Sequence, residues 1–242
     1  MPELLQLPAM AQDEHAYDLV SLPDALTYVY PGHGNRPGRS LTLGELADEA
    51  VQSSDGQFDL VGVALGGIVA QQILVRHGGR VRSAVLANTP GGVSEREPLL
   101  RRADETAAHG VDADELLKRW LRPATIAAGG PAVEYLVRCL RSIDPVGLAH
   151  VQRAMADHDV LEALTGDTHP VTFVVGEDDH VGVGSTERLA QRFTTFRIRR
   201  IPGGHMVHLD NPTGFRAVVE EHLQWVEELD AFTRTDMRGR TR

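Results

Sequence analysis

A single cysteine in 242 residues, Cys139, rules out an internal disulfide and a multi-cysteine metal site. That usage fits a reducing cytoplasm. Cys139 lies in the apolar-periodic stretch VEYLVRCL, which reads as a buried small hydrophobe and not as a reactive thiol. Basic charge is also short: 24 Lys and Arg against 34 Asp and Glu leave a formal net charge of −10 and a pI near 5.5. Phosphates and anionic head groups would be repelled, so neither nucleic acid nor a membrane surface is an expected partner. The run Arg234 to Arg242 is the local exception and is expected to be a frayed, solvated terminus. No apolar run approaches the roughly 18 residues that a membrane span needs, and MPELLQLPAM has no cationic leader, so neither insertion nor secretion is expected. The chain has no internal repeat and no low-complexity segment. With 42% hydrophobic residues, it can bury one sizeable core.

The spacing predicts alternating strands and helices. Leu4 to Pro8 reads as a strand, Ala11 to Leu22 as a helix closed by Pro23, and Ala25 to Tyr30 as a strand followed by the Pro/Gly loop Pro31 to Gly38. Leu41 to Val51 is helical, opened by Ser40 or Thr42. Phe58 to Val63 and Val81 to Asn88 are buried strands, with Leu65 to His77 as the helix between them, ended by Gly78 and Gly79. Residues 95–164 contain no good strand but several amphipathic helices: Pro98 to His109, Asp112 to Leu121, Pro131 to Ile143 and Val146 to Asp157. Val171 to Val175 and Phe196 to Ile201 then resume as strands, followed by helices Ser185 to Arg192 and Pro212 to Leu229 respectively. This order builds a mostly parallel α/β sheet by crossovers, with residues 1–94 and 165–242 as core and 95–164 as a helical lid over the carboxyl ends of the strands.

The chemistry gathers on three loops at those ends. Gly62, Gly66 and Gly67 have the spacing of a G-x-S-x-G turn, which lifts a serine hydroxyl from a strand-to-helix junction, but the central residue is Ala64. Asp179 in GEDD and His205 in PGGHMVHLDNP follow, the order nucleophile, acid, histidine. A histidine that takes a hydroxyl proton needs a carboxylate on its far nitrogen to fix its tautomer and stabilise the imidazolium. The G-x-x-D spacing from Gly176 selects Asp179, with Asp178 as runner-up. His33 is expected to support its loop, and His208 to make a lid or helix contact. Backbone donors for an oxyanion are expected from the Leu65 N–H at the helix start and, after the first strand, from Met10, with Ala9 next. Trp120, with Leu116 and Leu117, is a candidate wall of an apolar substrate pocket, as is Ala9. No metal or cofactor is expected; the expected partner is a small-molecule substrate, and the oligomeric state is left open.

Five motifs in order, GHG at 32–34, GVALGG at 62–67, LANT at 86–89, GEDD at 176–179 and GGHMVHLDNPTGF at 203–215, make the chain resemble the α/β-hydrolase superfamily over essentially its whole length. LANT and DPVGLAHVQRAMADHDV are similar to the 3-oxoadipate enol-lactonase group, whose members hydrolyse a small enol-lactone through Ser, Asp and His. The resemblance implies an eight-stranded mostly parallel sheet, a helical lid and no cofactor. This chain departs from it in three ways. Ala64 holds the nucleophile position, Pro8 and Ala9 replace the usual His-Gly after the first core strand, and the two leading strands are missing, so about six strands are expected. The expected activity is hydrolysis or acyl transfer on a small to medium ester, lactone or thioester, with this chain as the Ser-to-Ala inactive form. Two alternatives are a nucleophile-less enzyme using His205 and Asp179 as general base, and a ligand-binding pseudoenzyme.

Overall fold

The computed structural model describes residues 3–93, 95–182 and 184–239, with side chains as far as 233; the last three residues of the basic tail and Met1 and Pro2 lie outside it. Six parallel strands form one sheet in the order β2-β1-β3-β4-β5-β6. They are β1 (Glu3–Leu7), β2 (Ala25–Thr27), β3 (Phe58–Val63), β4 (Val81–Ala87), β5 (Val171–Gly176) and β6 (Phe196–Ile201). Strand succession runs one way from β1 to β2 and the other way from β3 onward. The reversal therefore opens a crevice at the carboxyl ends of β1 and β3, where open α/β sheets place their ligands.

Both faces of the central strands are covered, which is why β3, β4 and β5 read as near-continuous apolar runs. Phe58 and Leu60 of β3 point into one cluster, with Leu5, Leu86 and Phe173, under helices α1 (Leu43–Gln52) and α2 (Leu65–His77). Val61 and Val63 point into the other, with Val85, Val174 and Phe215. The helix α1 opens on a capping box: Thr42 accepts from the Glu45 N–H, and the Glu45 carboxylate accepts from the Thr42 N–H at 2.8 Å. Five helices, α3 (Arg96–His109), α4 (Ala113–Trp120), α5 (Pro123–Ala128), α6 (Pro131–Ser142) and α7 (Pro145–Met155), lie between β4 and β5 in sequence. The chain closes with α8 (Ser185–Ala190), α9 (Val207–Asp210) and α10 (Pro212–Gly239). Among the described residues no helix is long and apolar enough to cross a membrane. Cys139 is buried in α6, and burial pushes its thiol up to about 11, away from the reactive thiolate.

Three expectations need correction, and one helix was not foreseen. Ala11 to Leu22 forms a run of turns, because Asp13 Oδ1 accepts from the His15 N–H and Ala11, Ser21 and Asp24 take positive φ of 64, 55 and 49°. Tyr17 and Val20 are buried there all the same. The strand expected over Ala25 to Tyr30 ends at Thr27, the last residue in register with β1, where Leu4 to Gln6 face Ala25 to Thr27, and the Val29 carbonyl accepts from Arg36 instead. The sequence reading missed α5, a six-residue helix started by Pro123 at its first position. Finally, the terminus expected to fray continues α10 to Gly239.

Steric room at the start of α2 is set by glycine. A Cβ at Gly66 would lie 1.8 Å from the Leu7 carbonyl oxygen, whereas a Cβ at Gly79 would meet nothing within 4 Å. We therefore expect Gly66→Ala to lower stability by at least about 3 kcal/mol in urea titration, and Gly79→Ala to stay within about 0.5 kcal/mol of the parent.

Three buried histidines set an acid limit. Burial pushes His33 down to about 4, and His208 and His222 to about 3, against 6.5 for an unperturbed imidazole. His222 stays neutral between the Ser83 and Thr172 hydroxyls, at 2.9 and 2.8 Å. Between those values the unfolded chain binds protons that the folded chain refuses, so stability rises with pH there. Their contribution is fully present above about pH 6.5 and is lost on acidification toward pH 3 to 4, with a slope of at most about 1.4 kcal/mol per pH unit for each group. Urea midpoints measured from pH 7.5 to 4.5 should fall progressively, and His208→Phe should make the fall shallower.

Candidate active site

Position 64 is where β3 stops and α2 begins. Ala64 has φ 52° and ψ −110°; its N–H donates to the Ala87 carbonyl at 2.9 Å and its carbonyl accepts from the Ile68 N–H at 3.1 Å. The strained backbone that aims a serine is thus present with a methyl group at its tip. Ala64 is buried, with 8% of its surface exposed. It shares a buried cluster with Met206, the residue after His205.

The histidine and its acid are brought together. His205 Nδ1 donates to Asp179, lying 3.2 Å from Oδ1 and 3.3 Å from Oδ2, with the two side chains 12% and 7% exposed. Burial alone would raise the Asp179 carboxyl. The hydrogen bond and charge of His205 and the N–H groups of Val181 and Gly182 outweigh it and hold the group below the usual carboxylate range. Among the described residues His205 Nε2 has no partner, which leaves that nitrogen available to a substrate or a hydroxyl. Asp178, the runner-up, pairs instead with Arg122 Nε at 2.8 Å.

Asn88, just past β4 with φ 47°, joins the two loops, a role the sequence reading had not assigned to it. Its Oδ1 accepts from the Gly176 N–H, and its Nδ2 donates to the carbonyls of Gly204 and His205, all at 2.9 Å. Asp210 holds the same loop from the other side, accepting from the Gly204 N–H at 2.7 Å and from the Arg122 N–H at 3.1 Å. The motif signal was available, since Asn88 lies inside LANT and Asp210 inside GGHMVHLDNP, but the partners of Asn88 and the Arg122 partner of Asp210 are 88 or more positions away and leave no local trace.

The two candidate donors after β1 separate cleanly. The Ala9 N–H is used, donating to Gln12 Oε1 at 3.0 Å. The Met10 N–H and the Leu65 N–H have no hydrogen-bond partner among the described residues. Leu65 is the first residue of a 13-residue helix, so its N–H is one of the orphan donors of the helix start. Ala9 is fully buried. Trp120 is buried in the cluster that contains Ala64, and its carbonyl accepts from the Met206 N–H at 3.0 Å. Leu117 packs in that cluster as well, with Leu116 at its edge. Among the described residues no group of three or more His, Cys, Asp or Glu could hold a metal ion.

Solved structures share this architecture. A hydrolase from Pseudomonas aeruginosa superposes with a TM-score of 0.85 at 25% identity, covering 92% of this chain and 89% of that one. The enol-lactonase from Burkholderia xenovorans gives 0.84 at 20% identity, covering 92% and 91%. A thermophilic esterase from Thermogutta terrifontis gives 0.85 at 20% identity, covering 93% and 90%. In sequence, 3-oxoadipate enol-lactonase 1 of Acinetobacter baylyi is 23% identical over 199 residues, 78% of this chain and 74% of that protein. The profile of the alpha/beta hydrolase family matches residues 5–218, from β1 through most of the described length of the chain. With that match, a six-stranded parallel sheet and its helices, the chain belongs to the alpha/beta hydrolase family.

Proposed function

We propose that this site is built for acyl transfer from a small to medium carboxylic ester, lactone or thioester, and that the present chain is its Ser-to-Ala form, inactive for want of a hydroxyl at position 64. The observation that carries the reading is the hydrogen-bonded pair His205–Asp179 on the loops flanking a positive-φ Ala64, with the Met10 and Leu65 N–H groups unpaired. The names of relatives, an enol-lactonase and an esterase, support the same class of substrate.

With serine at 64, Oγ attacks the acyl carbon while His205 Nε2 takes its proton, and Asp179 stabilises the imidazolium. Negative charge developing on the carbonyl oxygen is met by the Met10 and Leu65 N–H groups, aided by the start of α2. The proton passes from His205 to the departing alkoxide or thiolate. Water, or another acceptor, then attacks the acyl-enzyme with His205 again as base. The helices over 95–164 act as the lid and Trp120 as a wall of the acyl pocket. The buried, inert Cys139 suits work in a reducing cytoplasm.

A second reading is favoured by His205 Nε2, which has no partner among the described residues. In it, the chain as it stands uses His205 and Asp179 as a general base on a bound substrate, without a covalent intermediate. One set of rate measurements decides between the two.

Ala64→Ser should produce esterase activity toward a small activated ester, against a parent at background level. Loss of a nucleophile typically costs on the order of 10⁶ in turnover, so the window for rescue is wide. Adding His205→Ala should abolish most of the gain, and adding Asp179→Asn should cost up to about 10⁴ in turnover through the wrong tautomer. A folded Ala64→Ser protein as inert as the parent across several acyl sizes would sink the proposal. A serine codon at position 64 in the coding sequence of the source gene would establish the replacement directly.

A further inference from the structure

Gln12 and His208 sit behind the site in a bond arrangement that the acyl-transfer scheme does not use. Both are fully buried. Gln12 Oε1 accepts from the Ala9 N–H at 3.0 Å and from His208 Nε2 at 3.1 Å, across 196 positions of sequence. Its Nε2 faces the Met206 sulfur at 3.5 Å, which fixes the orientation of the amide. Because Gln12 Oε1 can only accept, His208 carries its proton on Nε2, and its Nδ1 is buried without a partner. Burial keeps the ring neutral, with its pKa about 3, so this donor persists over the working pH range. The ring is held between Tyr17 and Phe215, with centroids at 5.2 and 6.1 Å, and the Tyr17 hydroxyl donates to the Leu7 carbonyl at 2.8 Å.

These contacts constrain the loop after β1 at two points, Leu7 and Ala9, on either side of Pro8. Drawing the Ala9 N–H onto Gln12 leaves the next donor, Met10, unpaired, and the following residue, Ala11, takes φ 64°, a conformation that a non-glycine residue holds only under constraint. His208 belongs to α9, which begins two residues after His205. One amide oxygen therefore ties the segment carrying the candidate oxyanion donor to the segment carrying the candidate base.

We propose that Gln12 and His208 are positioning residues: their shared hydrogen bond presents the Met10 N–H to the developing oxyanion and holds that loop in register with His205. This rests on the acyl-transfer reading above. The groups touch no reacting atom, and their effect passes through Met10.

The test uses the Ala64→Ser protein and a small activated ester, with an alkylboronic acid as probe, since the serine hydroxyl adds to boron to give a tetrahedral anion whose oxygen occupies the oxyanion position. Gln12→Met keeps the volume and removes the acceptor. It should lower kcat by about ten- to a hundredfold, the scale on which a misaimed oxyanion donor acts, with KM within about twofold. Boronate affinity should fall by a similar factor. Gln12→Glu, which retains the acceptor oxygen, should recover most of the loss. In the Ala64 parent, hydrogen exchange at the Ala9 amide should accelerate on Gln12→Met, a readout that needs no activity. If Gln12→Met does not fold, His208→Phe keeps the ring and removes only the donor, and a several-fold loss in kcat is expected. A folded Gln12→Met protein with unchanged kcat and boronate affinity would overturn the proposal, as would equal losses in the Met and Glu variants. An Ala64→Ser protein that neither hydrolyses esters nor binds boronate would overturn the acyl-transfer reading before Gln12 is altered, and this proposal with it.

Discussion

The first turn of α2 rests directly on the end of β1. A Cβ at Gly66 would come within 1.8 Å of the Leu7 carbonyl oxygen, and one at Gly62 within 2.5 Å of the Gly66 carbonyl oxygen. That backbone contact brings Leu7 and Pro8, at the end of β1, beside the start of α2. It also forces the chain to leave β3 through a residue at φ 52°, strain of roughly 1 to 3 kcal/mol that the surrounding core sustains. The same device recurs at the acid and histidine loops, where a Cβ at Gly176 would lie 2.5 Å from the Gly204 carbonyl oxygen. Close backbone approach at these two places leaves room for small polar side chains such as Asn88 to cross between loops.

Two neighbouring carboxylates show how environment divides the work. Asp178 is about half exposed and pairs with Arg122 of the helical segment, a contact that solvent screens and that is worth at most about 1 kcal/mol. Asp179, one residue on, is buried, receives the Val181 N–H at 2.8 Å, and orients His205. Asp210 holds Gly204 and Arg122 together, so the segment between α4 and α5 is fastened to the histidine loop by backbone donors as well as by the exposed ion pair. Movement of that segment would be felt at His205.

Much of this was legible in the sequence because it is local. The elbow glycines, the GEDD spacing and the Gly-Gly before His205 are fixed by backbone requirements of single turns, and the strands β3 to β5 by near-continuous apolar runs. What was not legible depends on distant partners or on local competition. The stretch from Ala11 to Leu22 has helical spacing, but the Asp13 side chain captures the His15 N–H and the positive φ at Ala11 and Ser21 breaks the register, so the apolar residues are buried without a helix. The choice between Met10 and Ala9 as donor depends on where the Ala9 N–H goes, and its acceptor, Gln12, is itself fixed by His208 at the far end of the chain. His208 was expected to make a lid or helix contact; it packs against Phe215 of α10 and in addition bonds the buried amide of Gln12, which no local pattern announced.

The hydrogen bonds by which Asn88, Gln12 and Asp210 hold the loops run to backbone groups of Gly176, Gly204, His205, Ala9 and Arg122, none of them to Ala64. The backbone at that position already has the positive φ that a nucleophile would need, so a hydroxyl placed there adds no further backbone cost. Assembling buried polar groups is expensive, since each must find a partner or pay its desolvation. A fold that pairs His205 with Asp179 and bonds Asn88 to the backbone of both loops has met those costs across elements that lie 26 to 117 positions apart in sequence.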